Sequence, residues 1–138
     1  MVSYVLDTDI CIYIMQGRPD AIAFWERCER QAVLFSVVTK AELLSHPALT
    51  AEDRSRINAF LASGILIDVD EFIAEKAGEL RRRLAQQGRK LRLPDALIAA
   101  TAVTEGAVLV THNVKDYRAV ADVAPLHIED PMPADPSS

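Results

Sequence analysis

The stretch LPDALIAATAVTEGAVLVT, residues 93–111, reads as one helix feeding one buried strand. Pro94 brings a fixed φ to the first helical position and Gly106 stands just past the last, the favoured asymmetry of helix ends. Residues 94–105 are therefore expected to be helical. Residues 107–111 are short, apolar and rich in valine, as in a strand covered on both faces. Asp95 falls in the first turn of this helix, where a carboxylate complements the macrodipole.

The same alternation continues outward in both directions. Residues 2–7 read as a first strand ended by Asp7, and residues 10–16 as a short helix stopped by Gly17 and Pro19. Residues 20–31 repeat apolar side chains at helical spacing through Ile22, Trp25 and Cys28. A second strand is expected over 33–38. Thr39 then caps the next helix, with Glu42 three residues on as the partner in a capping box. Helices over 50–63 and 70–87 flank a third strand at 65–67. A helical turn at 113–120 leads to an edge strand at 126–128. Strands alternating with helices predict an α/β fold: three layers, α/β/α, around a central parallel sheet of four to five strands. Residues 1–130 read as one domain, and residues 131–138, with three prolines and two serines, as a flexible tail.

Composition narrows the function classes. The formal charge of −5 argues against broad non-specific nucleic-acid binding but leaves room for a local basic track. Cys11 and Cys28 form neither a CxxC pair nor a disulfide framework and read as buried small apolar residues. No apolar run approaches the roughly 18 residues of a membrane span. The amino terminus has no basic leader, so a cytoplasmic protein is expected. The phosphate-cradling loops GxxxxGK[ST] and GxGxxG and the GxSxG elbow are absent, and the cysteines and histidines lack zinc-site spacing.

Four acids carry the chemistry. Asp7 follows the first strand, Glu42 the second, and Asp116 the strand at 107–111; Asp95 opens its helix beside them. In an open parallel sheet such positions converge on the edge where ligands bind. Singly, each has a structural explanation: Asp7 as a cap, Glu42 in the capping box, Asp95 at the dipole, Asp116 three residues after Asn113. Together they call for something more, because clustered carboxylates repel and are tolerated mainly around a hard cation such as Mg²⁺ or Mn²⁺. Phosphodiester hydrolysis fits that chemistry, since a bound divalent ion polarises phosphate and lowers the pKa of its water. A second charged feature lies upstream of Asp95. Arg81-Arg82-Arg83 to Arg89-Lys90-Leu91-Arg92 holds six basic residues and no acid between Glu79 and Asp95. It reads either as an RNA-phosphate rim of Arg89, Lys90 and Arg92 or as a solvated helix end.

The wording and order of these motifs resemble the PIN-domain family of metal-dependent nucleases, and most of all its VapC-type ribonuclease toxins. Tyr4-Val5-Leu6-Asp7-Thr8-Asp9 is similar to the family's opening strand, and Val37-Val38-Thr39-Lys40-Ala41-Glu42-Leu43 to its second acidic motif. Leu93-Pro94-Asp95-Ala96-Leu97-Ile98-Ala99-Ala100 is the most specific match. Leu109-Val110-Thr111-His112-Asn113-Val114-Lys115-Asp116-Tyr117 resembles the closing segment. The resemblance implies Asp7, Glu42 and Asp95 as core metal-binding acids, with Asp116 as the fourth. It implies Thr8 and Thr111 as supporting hydroxyls, with Asn113 alternative to Asp116 in facing the metal. His112 stands where many relatives carry Arg. The resemblance further implies Mg²⁺ or Mn²⁺ as cofactor, RNA as substrate, a small antitoxin protein as partner, and a homodimer. The expected dimer surfaces are the helices over 10–31 and 50–63, which carry Tyr13, Met15, Phe24, Trp25, Ile57 and Phe60.

Two other readings compete. A receiver-type signalling module is also doubly wound and acid-lined, and would use Asp68 or Asp70 after the third strand as phosphoacceptor. A catalytically inactive PIN-like binding domain would keep the fold without the reaction.

Overall fold

The structure is a computed structural model that describes residues 2–28 and 30–134. At its centre is β1 (Ser3–Leu6), hydrogen-bonded on one side to β2 (Ala32–Ser36) and on the other to β4 (Val108–Val110). β3 (Ile65–Ile67) and β5 (His127–Glu129) are the edges. The order is β3-β2-β1-β4-β5 and every pairing is parallel. The expected sheet is thus present with five strands.

Parallel strands need crossovers. Between β1 and β2 run α1 (Thr8–Met15) and α2 (Pro19–Arg27), and between β2 and β3 run α3 (Val37–Leu43) and α4 (Ala51–Leu61). Between β3 and β4 run α5 (Glu71–Gln86) and α6 (Leu93–Glu105), and α7 (Val114–Ala121) joins β4 to β5. Side-chain alternation sorts these into two layers. Val5, Leu34 and Leu109 point into a core with α5, α6 and α7. Leu6, Phe35 and Val110 point the other way, into a core with α1, α2 and α4. Ala96, Ala99, Ala100 and Ala102 are fully buried, so α6 lies close against the sheet, and Gly106 ends it at φ 62°, a left-handed cap.

Several local expectations change. Ser36, not Thr39, caps α3: its Oγ accepts from the Val38 N–H at 3.1 Å. Thr39 lies inside the helix, fully buried. The capping box over residues 39–42 does not form, and the one seen at a helix start is Thr50 with Asp53. The helix expected over 20–31 ends at Arg27. Of the side chains assigned to a dimer surface, some are drawn into the core and Tyr13, Met15, Trp25 and Phe60 stay partly exposed. Phe24 and Ile57 are buried, Trp25 stacks on Phe60 at 5.3 Å, and Phe60 packs against Phe35. Large apolar side chains that stay exposed are Val2, Ile12 on α1, Ile65, Leu66, Phe72 and Leu93. Ordered packing also runs past residue 130. Met132 is buried in the α1–α2–α4 core, and its N–H donates to Asp130; residues 135–138 of the expected tail lie outside the described residues.

Gly64 shows how tightly β3 enters the sheet. A Cβ there would sit 2.7 Å from the Val33 carbonyl oxygen and 2.6 Å from the Phe35 ring. A backbone oxygen in a central pairing cannot move aside cheaply. Gly64→Ala is expected to destabilise the fold by roughly 1–3 kcal/mol in urea unfolding; unchanged stability would show that the β2–β3 contact is loose.

Candidate active site

The chain runs from β1 outward to β3, then returns to β4 on the other side of β1. The order therefore reverses between β1 and β4, and the crevice beyond the carboxyl ends of those two strands is the place where such sheets bind ligands. Asp7 stands there, immediately after β1. It is the N-cap of α1, and its backbone N–H is bound to the Val110 carbonyl. Its carboxylate is 5% exposed. Oδ1 accepts from the Thr8 N–H at 2.9 Å and Oδ2 from the Thr111 hydroxyl at 2.8 Å. Burial, aided by repulsion from Asp9, pushes the Asp7 pKa up to about 7 against these stabilising donors.

Glu42 approaches from α3. With Ser36 doing the capping, Glu42 falls in the last turn of that helix, where the macrodipole disfavours a carboxylate. Its Oε1 accepts from the Thr8 hydroxyl at 2.7 Å, and that hydroxyl is in turn hydrogen-bonded to Thr39 at 3.2 Å. Thr8 thus carries one link to Asp7 through its N–H and one to Glu42 through its side chain.

Asp95 stands half-buried in the first turn of α6. Desolvation raises its pKa, as does repulsion from Asp116 and Glu42, while the Tyr117 hydroxyl and Arg92 oppose the rise. Asp116, in the first turn of α7, is exposed. The Asn113 side chain makes no cap bond; its N–H donates to the Thr111 hydroxyl at 3.0 Å.

Tyr117 is the residue that sequence reasoning passed over. It was visible only as the last letter of the closing segment. Its ring is fully buried in the α5–α6–α7 core, and its hydroxyl donates to Asp95 Oδ1 at 3.2 Å while also interacting with Asp7. Burial and the two carboxylates hold its own pKa far above the ordinary phenol value. Asp9, a second acid in the opening motif, has a structural task. Its carboxylate accepts from the N–H groups of Ile10 and His112, which fastens α1 to the end of β4. The His112 ring meets Asp130 at 3.1 Å.

Three hydroxyls, on Thr8, Thr111 and Tyr117, therefore tie Asp7, Glu42 and Asp95 into one network. Among the described residues no ion pair engages Asp7, Glu42, Asp95 or Asp116. Nor do any three acidic, histidine or cysteine side chains there close into a ready-made metal cage. Mutual repulsion accounts for the open arrangement. The donor set is all oxygen, which suits Mg²⁺ or Mn²⁺, and Mg²⁺ keeps several waters, so direct contact from every carboxylate is not required.

Of the basic residues, Lys90 and Arg92 line a small cleft of about 80 Å³ together with Asp95 and Asp116. Arg89 turns to Asp122 at 3.0 Å.

An acid-lined crevice at the switch point of a β3-β2-β1-β4-β5 parallel sheet is the arrangement of a PIN domain, and the PIN-domain family model matches residues 4–123. Ribonuclease VapC2 of Rickettsia felis is 32% identical over 127 residues, 87% of this chain and 93% of the relative. The tRNA(fMet)-specific endonuclease VapC of Shigella flexneri is 28% identical over 123 residues, with the same shares covered. The crystal structure of VapBC2 from Rickettsia felis, bound to a DNA fragment from their promoter, superposes with a TM-score of 0.81. Identity there is 30%, over 94% of this chain and 98% of that one. The chain belongs to the PIN-domain family, among its VapC ribonucleases.

The Asp7 pKa sets a pH dependence of stability. The unfolded chain releases this proton near pH 4, whereas the folded protein keeps it to about pH 7. The carboxyl thus costs no stability below pH 4, weakens the fold progressively from pH 4 to 7, and exerts its full penalty above. Asp7→Asn, without divalent ions, is expected to raise stability by on the order of 2 kcal/mol at pH 8, with the gain shrinking toward pH 4. Urea titrations across that range check it; a gain independent of pH would show that the carboxylate is not buried as charge.

Proposed function

We propose that this chain is a Mg²⁺- or Mn²⁺-dependent endoribonuclease that hydrolyses RNA phosphodiester bonds as the toxin of a toxin–antitoxin pair. The observation that carries the reading is the set of carboxylates at the switch point. Asp7, Glu42, Asp95 and Asp116 have no ion-pair partner among the described residues, Glu42 and Asp116 raise the Asp95 pKa by repulsion, and Glu42 stands at a helix end that disfavours it. A structural explanation leaves that cost unexplained.

In this reading Asp7, Glu42 and Asp95 hold the ion, with Asp116 or Asn113 at the rim. The ion supplies charge to the phosphate oxygens and a water of lowered pKa. The protein's own groups do the positioning. Thr8 and Thr111 orient Asp7 and Glu42, and Tyr117 fixes one oxygen of Asp95, leaving the other to face the crevice. Lys90 and Arg92 flank Asp95 and attract the phosphate; Arg89 contributes positive charge to the same loop.

The receiver reading loses its footing. Receivers use the order 2-1-3-4-5, whereas here β3 is an edge strand, and Asp70 caps α5 through the Ile73 N–H. For an inactive binding domain, no substitution among the four acids offers support.

A small antitoxin is the proposed partner. An apolar groove of about 710 Å³ lies between α1, α3 and α4, lined by Ile12, Met15, Leu43, Leu49 and Ile57, and Glu42 stands on its wall. A segment seated there reaches the acids directly. No helix among the described residues is long and apolar enough to cross a membrane, and the cytoplasm, where RNA is available, is the proposed location. A homodimer is also proposed, now on the exposed Ile65, Leu66 and Phe72. Light scattering at micromolar concentration is expected to give twice the 15.2 kDa chain mass, and a monomer would remove it.

Asp95→Asn tests the catalytic assignment. It removes a carboxylate whose pKa is raised by desolvation and like charges, so apo stability should hold or rise slightly. Cleavage of mixed RNA with Mg²⁺ or Mn²⁺ should fall by at least about 100-fold. Full activity in this variant, or no activity in the wild type with either ion, would reject the reading.

A further inference from the structure

Arg92 stands beside Asp95, and the other five cations upstream of Asp95 divide into two groups. Arg83 is committed to the Val123 carbonyl at 2.7 Å and to Glu79, Arg89 to Asp122, and Arg81 Nε to the Leu91 carbonyl at 3.0 Å. Arg82 and Lys90 make no hydrogen bond or ion pair with any described residue. Both line a groove of about 370 Å³ beside α5, together with Gly78, Arg81 and Arg89, and no acid lines it. In a chain of net charge −5, an acid-free groove lined by four cations, two of them with no partner among the described residues, is a positive site.

Its position gives it a direction. The groove shares Lys90 and Leu91 with the small cleft that holds Asp95 and Asp116. The two hollows therefore adjoin, with Lys90 between the acids and Arg82.

Gly78 is the independent observation. It sits within α5 on an exposed face, where glycine is a poor helix former. A Cβ there would meet nothing within 4 Å, so packing within the chain does not require glycine. A missing side chain in the wall of a cationic groove opens room for a polyanion to approach the helix closely.

Resting on the ribonuclease reading above, we infer that the Gly78–Arg82–Lys90 groove is a phosphate-binding track for the RNA strand flanking the scissile bond. Lys90 takes the phosphate next to the acids, and Arg82 one further along. Arg83 serves the fold through the segment after α7, and Arg89, held there by Asp122, adds only charge to the loop. A single RNA strand fits better than a protein partner, because four cations and no acid line the groove.

The test compares wild type, Arg82→Ala/Lys90→Ala and Arg83→Ala. Each is titrated with a mixed-sequence single-stranded RNA dodecamer without divalent ions over a range of KCl, and assayed for cleavage of the same RNA with Mn²⁺. The double variant should bind about tenfold more weakly at low salt, with the slope of log K against log salt reduced by about 1.4, two phosphates at roughly 0.7 each. In cleavage the loss should fall on KM rather than kcat, and the melting temperature should not move, since neither side chain has a partner to lose. Arg83→Ala should lower the melting temperature and leave the salt slope alone. A double variant with wild-type affinity and slope, beside a wild type that cuts, overturns the track. So does one that loosens a cognate antitoxin and leaves RNA binding unchanged, which would make the groove a protein surface. A wild type that neither binds nor cuts the RNA with Mg²⁺ or Mn²⁺ fails at the earlier step, the ribonuclease reading itself.

Discussion

A carboxylate buried at the end of the central strand is the constraint around which the rest is arranged. Asp7 is 5% exposed, and isolated charge in such a place is costly. Donors offset part of the cost: the Thr8 N–H, next in the chain, and the Thr111 and Tyr117 hydroxyls, which the sheet order and the packing of α7 bring to that point. β4 must lie beside β1 for Thr111 to reach Asp7, and the return of the chain from one sheet edge to the other side of β1 puts it there. Topology and site chemistry are thus one requirement. The same adjacency lets Asp9 bind the His112 N–H, so the strand pair is locked just where the crevice opens.

The larger elements were legible because their signals are local. Pro94 and Gly106 mark both ends of α6, and the valine-rich runs at β1, β2 and β4 have no competing helical period. The acids that face the crevice were legible for the same reason: each follows a strand or opens a helix beside one. Their roles as caps were less so. Ser36 and Thr39 are both capping residue types three positions apart, and sequence grammar cannot choose between them. The structure chooses Ser36, because β2 runs only to that residue and the buried Thr39 hydroxyl is wanted by Thr8. That single change moves Glu42 from a stabilised first turn to a disfavoured last one, and it strengthens the functional reading.

What the sequence hid depends on contacts between distant residues. Tyr117 reads as one more aromatic on an amphipathic helix until α7 is packed beneath the acids, 22 residues from Asp95 in the chain. Trp25 and Phe60 looked like too much apolar surface for one small domain. They pack on each other, and Phe60 also on Phe35, because α2 and α4 cover the same sheet face, which a helix-by-helix reading does not reveal. Met132 looked like tail because prolines flank it, yet its side chain fills the α1–α2–α4 core.

Stability and function pull against each other at one place. The hydroxyls of Thr8, Thr111 and Tyr117 each have one proton to donate, and between them they meet only part of the acceptor capacity of Asp7, Glu42 and Asp95. Adding Arg or Lys inside the crevice would neutralise the acids and stabilise the fold, but it would occupy the space and charge that a divalent ion needs. The cations near the site are instead kept to its rim, at Lys90 and Arg92, where they are exposed and Arg92 only partly offsets the charge of Asp95. The unfilled acceptor capacity is then a binding potential. Any ligand that brings positive charge to the native crevice and not to the unfolded chain stabilises the fold by its own binding free energy. A metal ion and a basic side chain from a partner would draw on the same carboxylates, so occupancy by one must weaken the other. An acid cluster left underneutralised by its own chain is, on the proposed reading, at once the source of catalytic charge and the place where an inhibitor would act most directly.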